Sequence, residues 1–569
     1  MYKRQHNIDR NTKFTEEERA DYKAQARFVR AYYYWLLLRK YGPIPIMPDE
    51  GMDFTQEYED LAVARSSYDE VANFIASEMQ IAAKDLPLER GPLAIARPTR
   101  GAALAARAKV LLYAASPINN PHPSDTEKFS DMVNFDGKHL IAQEYDETKW
   151  ARAAAAALDV MELPGNQADG KRYDLYHLGR RTSGSVGYPV TIEPYKDGDF
   201  SEHTWPDGWQ DIDPFESYRS LFDGEVSASD NYELIFTRGQ NQSSEGVDIM
   251  VVHQLPTSAT GWNTHGLTQK MCDAYYMNDG SDCPGKDLEI GGANGTVRET
   301  GFVDETNQEN YPELGEHRIG VSLQYVQREP RFYASVAYNG STWFLLNESN
   351  DANRNQQVFY YRGMGNGYNN NNAFWLRTGI GVKKFVHPYD THENRDMGRI
   401  RRKAEPAIRY AEILLIYAEA LNELDGSHNI ESWDGSKTYT IKRDINEMKK
   451  GIRPIRCRAG IPDYTAAEYA SKDLFREKIK RERMIELMGE GHRYYDLRRW
   501  KDAEKEESQP IYGCNTLMTE QYKDLFHIPV VVPSLPTNFS RKMYFWPISH
   551  SELKRNRLLT QNPGWTYND

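Results

Sequence analysis

ERMIELMGEGHRYYDLRRW, residues 482–500, is the stretch on which the reading of this chain turns. In helical register it stacks Glu482, Glu486 and Glu490 at i, i+4 and i+8. Like charges at that spacing repel, so something must compensate them. A metal or catalytic site is one answer, and a structural charge network is the other. A carboxylate-bridged dimetal bundle needs Glu-x-x-His on two helices. Here His492 follows Glu490 by two residues and Glu486 by six, and no HExxH occurs. Glu419 and Glu423 form another i, i+4 pair, again without a histidine at the right offset. Arg481, Arg483, Arg493, Arg498 and Arg499 flank the ridge. Guanidinium forks pair with carboxylates in two-point contact. The ridge therefore reads as a structural network, neutralised by arginines of its own helix and of its neighbours.

Outward from this stretch, helical periodicity dominates both ends of the chain. Residues 19–40 carry Ala24, Phe28, Ala31, Tyr32, Trp35 and Leu38 as an apolar stripe, stopped by the proline-marked YGPIPIMP. A second helix follows a Ser67–Glu70 capping box, with Val71, Ile75, Met79 and Leu86 on one face. TRGAALAARAKVLLYAASP and DETKWARAAAAALDVMELPG supply two alanine-rich helices. Helices return at 406–425, 438–451, 466–470 and 471–500. Small residues let helices approach closely, as in antiparallel helix-pair repeats. The fold class is mainly α: a tetratricopeptide-like helix-pair scaffold with a large irregular, loop-rich region containing a few short β-strands. Four divisions follow: an N-terminal helical scaffold at 1–165, a loop-rich ligand-binding region at 166–395, a C-terminal helical scaffold at 396–505 and an irregular tail at 506–569. Within the second, strands are expected at 232–237 and 381–386, with a hairpin over 331–346 turning at Asn339-Gly340.

The bulk composition narrows the function. Of 569 residues, 39% are hydrophobic and 27% charged, enough to build a core. A net charge of −13 argues against a nucleic-acid partner. Four cysteines without a CxxC make neither a zinc knuckle nor a disulfide framework. No apolar run approaches the ~18–20 residues of a membrane span. GMGNGY at 363–368 lacks the lysine of a phosphate loop, and no GxSxG occurs. DGSDCPGKDLE at 279–289 departs from the calcium-loop pattern and reads as an ordinary acidic turn. No motif asks for a cofactor or a metal.

Several stretches together resemble one family, the SusD/RagB nutrient-uptake outer-membrane lipoproteins. They are RFVRAYYYWLLLRKYGPIPIM (27–47), RGAALAARAKVLLYAASP, REPRFYASVAYNGSTW (328–343), IRYAEILLIYAEALNEL, the motif at 482–500, and WPISHSELKRNRLLTQNPGW at the tail. They run in family order over nearly the whole chain. The resemblance implies a non-enzymatic protein at the cell surface that captures a glycan or oligosaccharide. It implies a partner, a TonB-dependent transporter of the SusC type, to which the ligand is passed. It also implies a signal peptide, a lipobox cysteine and further N-terminal helix ahead of the RFVRAYYYW-like segment. The chain opens almost at that segment. An N-terminally truncated member is therefore expected, its lipid anchor to the outer membrane lying outside these residues.

Sugar rings present an apolar CH face and a hydroxyl rim, so aromatic platforms beside polar loop residues are the candidates. Trp262 leads, because its place before TQKMCDAYYMNDG is similar to the family's aromatic platform; Asn263 and His265 are its expected hydrogen-bonding neighbours. Trp205, Trp209 and Tyr218 make a second group, and Tyr368, Asn370 and Trp375 a third. For each, ordinary packing is the competing explanation, most of all for Trp343 and Trp375 in possible strands. Two other functions compete: a glycoside hydrolase or lyase with carboxylates dispersed in sequence, and a helical scaffold that binds protein alone.

Overall fold

The computed structural model describes residues 8–566, apart from 10, 50, 54, 58, 181–191, 238–245, 293–294, 370–373 and 536. Helix α1 (Glu16–Tyr41) begins at a Thr15–Glu18 capping box and ends at Gly42, whose φ of 70° suits glycine. Helix α2 (Tyr68–Asp85) starts at the expected Ser67–Glu70 box. Helices α3 (Arg100–Ala115) and α4 (Thr148–Met161) follow, with alanines 102, 103, 105, 106, 108 and 153–157 all buried. Each of these helices packs on the next.

The chain then leaves the stack. It forms α5 (Pro214–Arg219), β1 (Leu234–Thr237), α6 (Val247–Gln254), α7 (Gln269–Ala274) and α8 (Pro330–Ser335). Short strands β2 (Val336–Ala337), β3 (Ser341–Trp343), β4 (Gln356–Val358), β5 (Gly381–Val382) and β6 (Pro406–Arg409) complete the excursion. Helix α9 (Tyr410–Asn422) then returns to pack on α4, and is buried over its whole length. A hairpin, β7 (Ser427–Glu431) and β8 (Thr438–Lys442), leads to α10 (Ile445–Arg458), α11 (Ala466–Ala470), α12 (Lys472–Glu486) and α13 (Arg493–Arg499). The last part holds α14 (Ala503–Glu507), β9 (Tyr512–Gly513), α15 (Lys523–Phe526), β10 (Val530–Val531) and α16 (His550–Arg555). Among the described residues, every sheet is a two-stranded antiparallel pair. The molecule is mainly helical with a few short strands, as the sequence predicts. Helices α9 and α10 approach so closely that a Cβ on Gly451 would lie 2.4 Å from the Leu414 carbonyl oxygen; glycine is required there.

Local expectations fail where two signals overlap. Residues 406–409 pair with β1 as strand β6 instead of opening a helix. Residues 438–442 form β8, because Thr438, Tyr439, Thr440 and Ile441 favour an extended chain. The expected hairpin at Asn339-Gly340 turns at Gly340 (φ 87°), but its arms do not pair with each other. Pro330 starts α8, which consumes the first arm; β2 pairs with β5 and β3 with β4. The helix expected over 471–500 is broken by Gly489 (φ 77°) and Gly491 (φ 80°). Glu490 therefore sits in the turn between α12 and α13.

The side chains of the three glutamates are enclosed, and their partners come from elsewhere in the chain. Glu486 receives Arg331 at 2.9 Å, Arg409 at 2.7 Å, and Arg458. Glu482 is bound by Arg331 (2.6 Å), Arg456 (3.2 Å) and the Tyr464 hydroxyl (3.2 Å). Glu490 is bound by Arg409 and by Lys384, each at 2.8 Å. Glu233 closes the group with Arg409 (2.7 Å) and Arg458 (2.8 Å), and Glu329 binds Arg331 (2.7 Å). Five carboxylates thus face five cations. The network is structural, as predicted, but the arginines of α12 and α13 do not serve it. Arg483 and Arg499 bind Asp496, and Arg499 also binds Glu419. Arg481, Arg493 and Arg498 pair with Asp282, Glu506 and Glu507.

Burial alone would raise the carboxyl pKa values. The cations more than reverse this, holding Glu482, Glu486 and Glu490 below the ordinary glutamate range. Glu419 and Asp496 are lowered in the same way by Arg499 and Arg483. A carboxyl depressed on folding stabilises the protein above its unfolded pKa, near ~4.3 for glutamate, and loses that contribution as pH falls toward the folded value. The contribution of these carboxylates should therefore be complete from neutrality to about pH 5 and be lost below about pH 4; denaturant titrations of wild type and of Glu486→Gln across that range isolate it as a difference that shrinks at low pH. Glu486→Gln leaves three buried guanidiniums undercompensated and should cost about 3–5 kcal/mol in the same assay.

Candidate functional site

The site begins at the C-terminal end of α6. Its last carbonyls have no partner within the helix. The chain folds back and supplies them: the Trp262 amide donates to Val252 O (2.8 Å), Asn263 to Leu255 O (3.1 Å) and Thr264 to His253 O (2.9 Å). The fold-back needs Gly261, where a Cβ would lie 2.2 Å from Leu255 O. It also needs left-handed backbone at Asn263 (φ 47°), a conformation asparagine tolerates.

This capping loop presents the aromatic rings. Trp262, half-buried, lies edge-on to His253 at 4.5 Å between centroids. His253 stacks on His265 at 5.0 Å and 10°. Phe374, 48% exposed, lies parallel to Trp262 within 13° at 6.0 Å. Its neighbour Trp375 meets Tyr368 at 4.8 Å, with the Arg377 guanidinium 4.3 Å from the Trp375 centroid. Adjacent residues 374 and 375 thus link the Trp262 ring cluster in sequence to the Trp375–Tyr368 pair. Burial lowers the pKa of His253, and burial together with His253 lowers that of His265. Both imidazoles are neutral at pH 7 and present ring faces and hydrogen-bonding nitrogens without charge. Polar groups around the rings suit a hydroxylated ligand whose apolar face lies on Trp262 and Phe374.

The remaining candidates divide. Asn263 is buried, and its side-chain amide donates to Asn366 O at 2.8 Å. Asn366 Oδ1 in turn accepts from the Thr257 amide (2.8 Å) and hydroxyl (2.9 Å). Asn263 is therefore a staple between the 257–263 and 363–368 loops, not an exposed ligand contact. Trp209 is fully buried, stacked on Phe200 at 6.1 Å, with its indole N–H on Tyr195 O (3.2 Å). Tyr218 is fully buried too, donating to Glu486 O (3.1 Å) beneath Lys384 and Arg458. Both are buried, Trp209 in the turn ahead of α5 and Tyr218 within α5 itself. Trp205 keeps partial exposure, tilted against His177 at 5.0 Å. Asn370 lies outside the described residues. Trp343 is core, as expected, whereas half-buried Trp375 lies in a loop and not in a strand. Sequence reasoning missed Phe374, His253 and Asn366. The adjacent aromatic pair Phe374-Trp375, beside the Asn-rich run at 369–372, was the available signal.

A family model described as the SusD family matches residues 218–565, more than half of the chain. The chain belongs to the SusD family. A second model, described as starch-binding associating with outer membrane, matches residues 5–112 of this SusD-family protein. The SusD-like protein P2 of Formosa agariphila is 31% identical over 163 residues, spanning 28% of this chain and a quarter (25%) of that relative's length. Among solved structures, BT4246 superposes with a TM-score of 0.71 at 23% identity, covering 98% of this chain and 87% of its own. A SusD-like carbohydrate binding protein from Bacteroides fragilis gives 0.58 at 19% identity, over 96% and 81% of the two chains. These likenesses carry the fold.

If Asn263 is a staple, Asn263→Ala should lower unfolding stability by about 1–2 kcal/mol, from a lost buried hydrogen bond and unfavourable left-handed backbone. A residue serving only as a ligand contact would leave the denaturant midpoint where it is.

Proposed function

We propose that this protein captures a glycan or oligosaccharide at the cell surface and hands it, unaltered, to a SusC-type TonB-dependent outer-membrane transporter. The observation that carries the reading is the paired platform of Trp262 and Phe374, rimmed by two neutral histidines and joined to Tyr368, Trp375 and Arg377. Flat faces with polar edges match the amphipathic surface of a sugar ring. The starch-binding, outer-membrane family that matches residues 5–112 and the carbohydrate-binding relative from Bacteroides fragilis point the same way. In this reading the ligand contacts are Trp262, His265, Tyr368, Phe374 and Arg377, with Trp205 at a separate half-buried position, all within the 166–395 region. In this reading the protein works in association with the outer membrane.

A hydrolase or lyase reading remains the alternative to beat. The acidic ridge gives it no support, since its carboxylates are locked in ion pairs away from solvent. Stacking on an aromatic ring contributes ~1–3 kcal/mol by analogy with base stacking. Trp262→Ala should then weaken glycan binding by roughly one to two decades, at about 1.4 kcal/mol per decade, measured per folded molecule because the half-buried ring also packs on its neighbours. Affinity electrophoresis against a panel of polysaccharides reads the retardation, and chromatography of the incubated glycan reads cleavage. Released oligosaccharides would replace the binding reading with the enzymatic one, and retention by no glycan would favour a protein-only scaffold.

A further inference from the structure

A cleft of about 640 Å3 opens between α7, the turn from α12 into α13 and the end of α14. Its floor is aliphatic and buried: Leu267, Met488 and Leu497 are each 8% exposed or less. Met271, Met484 and Ile511 are half-buried in its walls, and Met543, 37% exposed, marks the mouth. A buried floor below an exposed mouth makes this a recess and not a flat face. Four methionines line it, and among the described residues Tyr512 is the one aromatic ring that borders it. Thioether side chains are flexible and polarisable, and their sulfurs pack well against aromatic rings. The wall differs in kind from the stacked rings of the Trp262 surface, none of which lines it.

Charged groups border the cleft, and each already has a partner. Lys270 and Arg493 (3.0 Å) both bind one carboxylate oxygen of Glu506. Arg498 holds Glu507 (2.8 Å), Arg298 holds Asp273 (2.8 Å) and Glu289 (2.9 Å) together, and Lys286 holds Asp287. Five cations thus meet five carboxylates. A ligand charge carried into the recess would lose water without gaining an uncommitted counter-charge. The Tyr512 hydroxyl and the amides of Gln509 and Asn538 supply neutral hydrogen-bonding groups. An apolar cavity of about 150 Å3 accommodates one benzene ring, so this cleft has room for about two to four rings.

We propose that this cleft is a second binding site, for an uncharged apolar molecule built on a few aromatic or alicyclic rings. The aliphatic floor takes its body, the methionine side chains adjust to its outline, and the neutral polar groups meet any hydroxyl or carbonyl it bears. A deep apolar space whose bordering charges are already committed to one another is complementary to a body without charge. The site is separate from glycan capture and does not depend on it.

Fluorescence titration of the whole protein with N-phenyl-1-naphthylamine tests this, set against 8-anilinonaphthalene-1-sulfonate, the same skeleton with one sulfonate added. Wild type should bind one equivalent of the neutral dye, about ten-fold or more tighter than the sulfonate. Met484→Glu, which puts a carboxylate into the wall, should weaken the neutral dye by about ten-fold or more and leave glycan binding as it was. Trp262→Ala should leave the dye affinity unchanged. Should Met484→Glu not fold, as judged by circular dichroism, Met543→Glu at the exposed mouth takes its place, with the same direction expected. No saturable binding of the neutral dye, equal affinity for the two dyes, undiminished dye binding by the folded Glu variant, or loss of dye binding in Trp262→Ala would each overturn the proposal.

Discussion

Arg331, Arg409 and Arg458 converge on a single carboxylate, that of Glu486, inside a space closed to water. These groups come from four distant parts of the chain: α8, the end of β6, the end of α10 and the end of α12. A buried charge left without its partner is strongly unfavourable, so no one of these segments can shift without exposing the others. Fixed positions follow from that rule more than net stability does. The alanine faces of α1 to α4 set how near the helices lie, and the charge cluster sets where the excursion attaches to them.

From the cluster the constraint passes to the aromatic surface around Trp262 through β5. Lys384 ties the end of this segment to Glu490 and the α12–α13 turn. Two residues earlier, the Val382 amide donates to His265 O (3.2 Å), and the Leu267 amide donates to Ile380 O (2.9 Å). The loop bearing Trp262 and His265 is therefore held at one end by the exposed carbonyls of α6 and at the other by a strand anchored in the core. Asn366 adds a third tie. The rings stand on a loop, yet the loop has little freedom to move.

Much of this was legible in the sequence, and the gaps have physical causes. Helices with one apolar stripe and a capping residue, such as 68–85, could be read to within a residue or two, because local chemistry decides their ends. The structural role of Glu482, Glu486 and Glu490 was legible from the lack of ligating histidines and the wealth of arginine. The identity of the partners was not: Arg331 and Arg409 lie 151 and 77 residues from the glutamates they bind, and sequence spacing says nothing about such contacts. Trp209 and Tyr218 look like Trp262 in sequence, each a ring in a polar loop. What separates them is where the fold puts each ring, Tyr218 on the buried face of α5 and Trp209 in an enclosed turn, set by packing across the molecule. Phe374 was overlooked because its partner ring lies more than a hundred residues away.

The route of the chain through the helix stack has an evolutionary consequence. It departs after α4 and resumes at α9, which packs directly on α4, so the continuity of the rods does not need the intervening segment as a whole. What it must keep is a handful of pinning points, among them Glu233, Glu329, Arg331 and Lys384. Between those pins, lengths and ring placements are open to replacement, and a lineage can rewrite these loops while the rods beneath stay as they are.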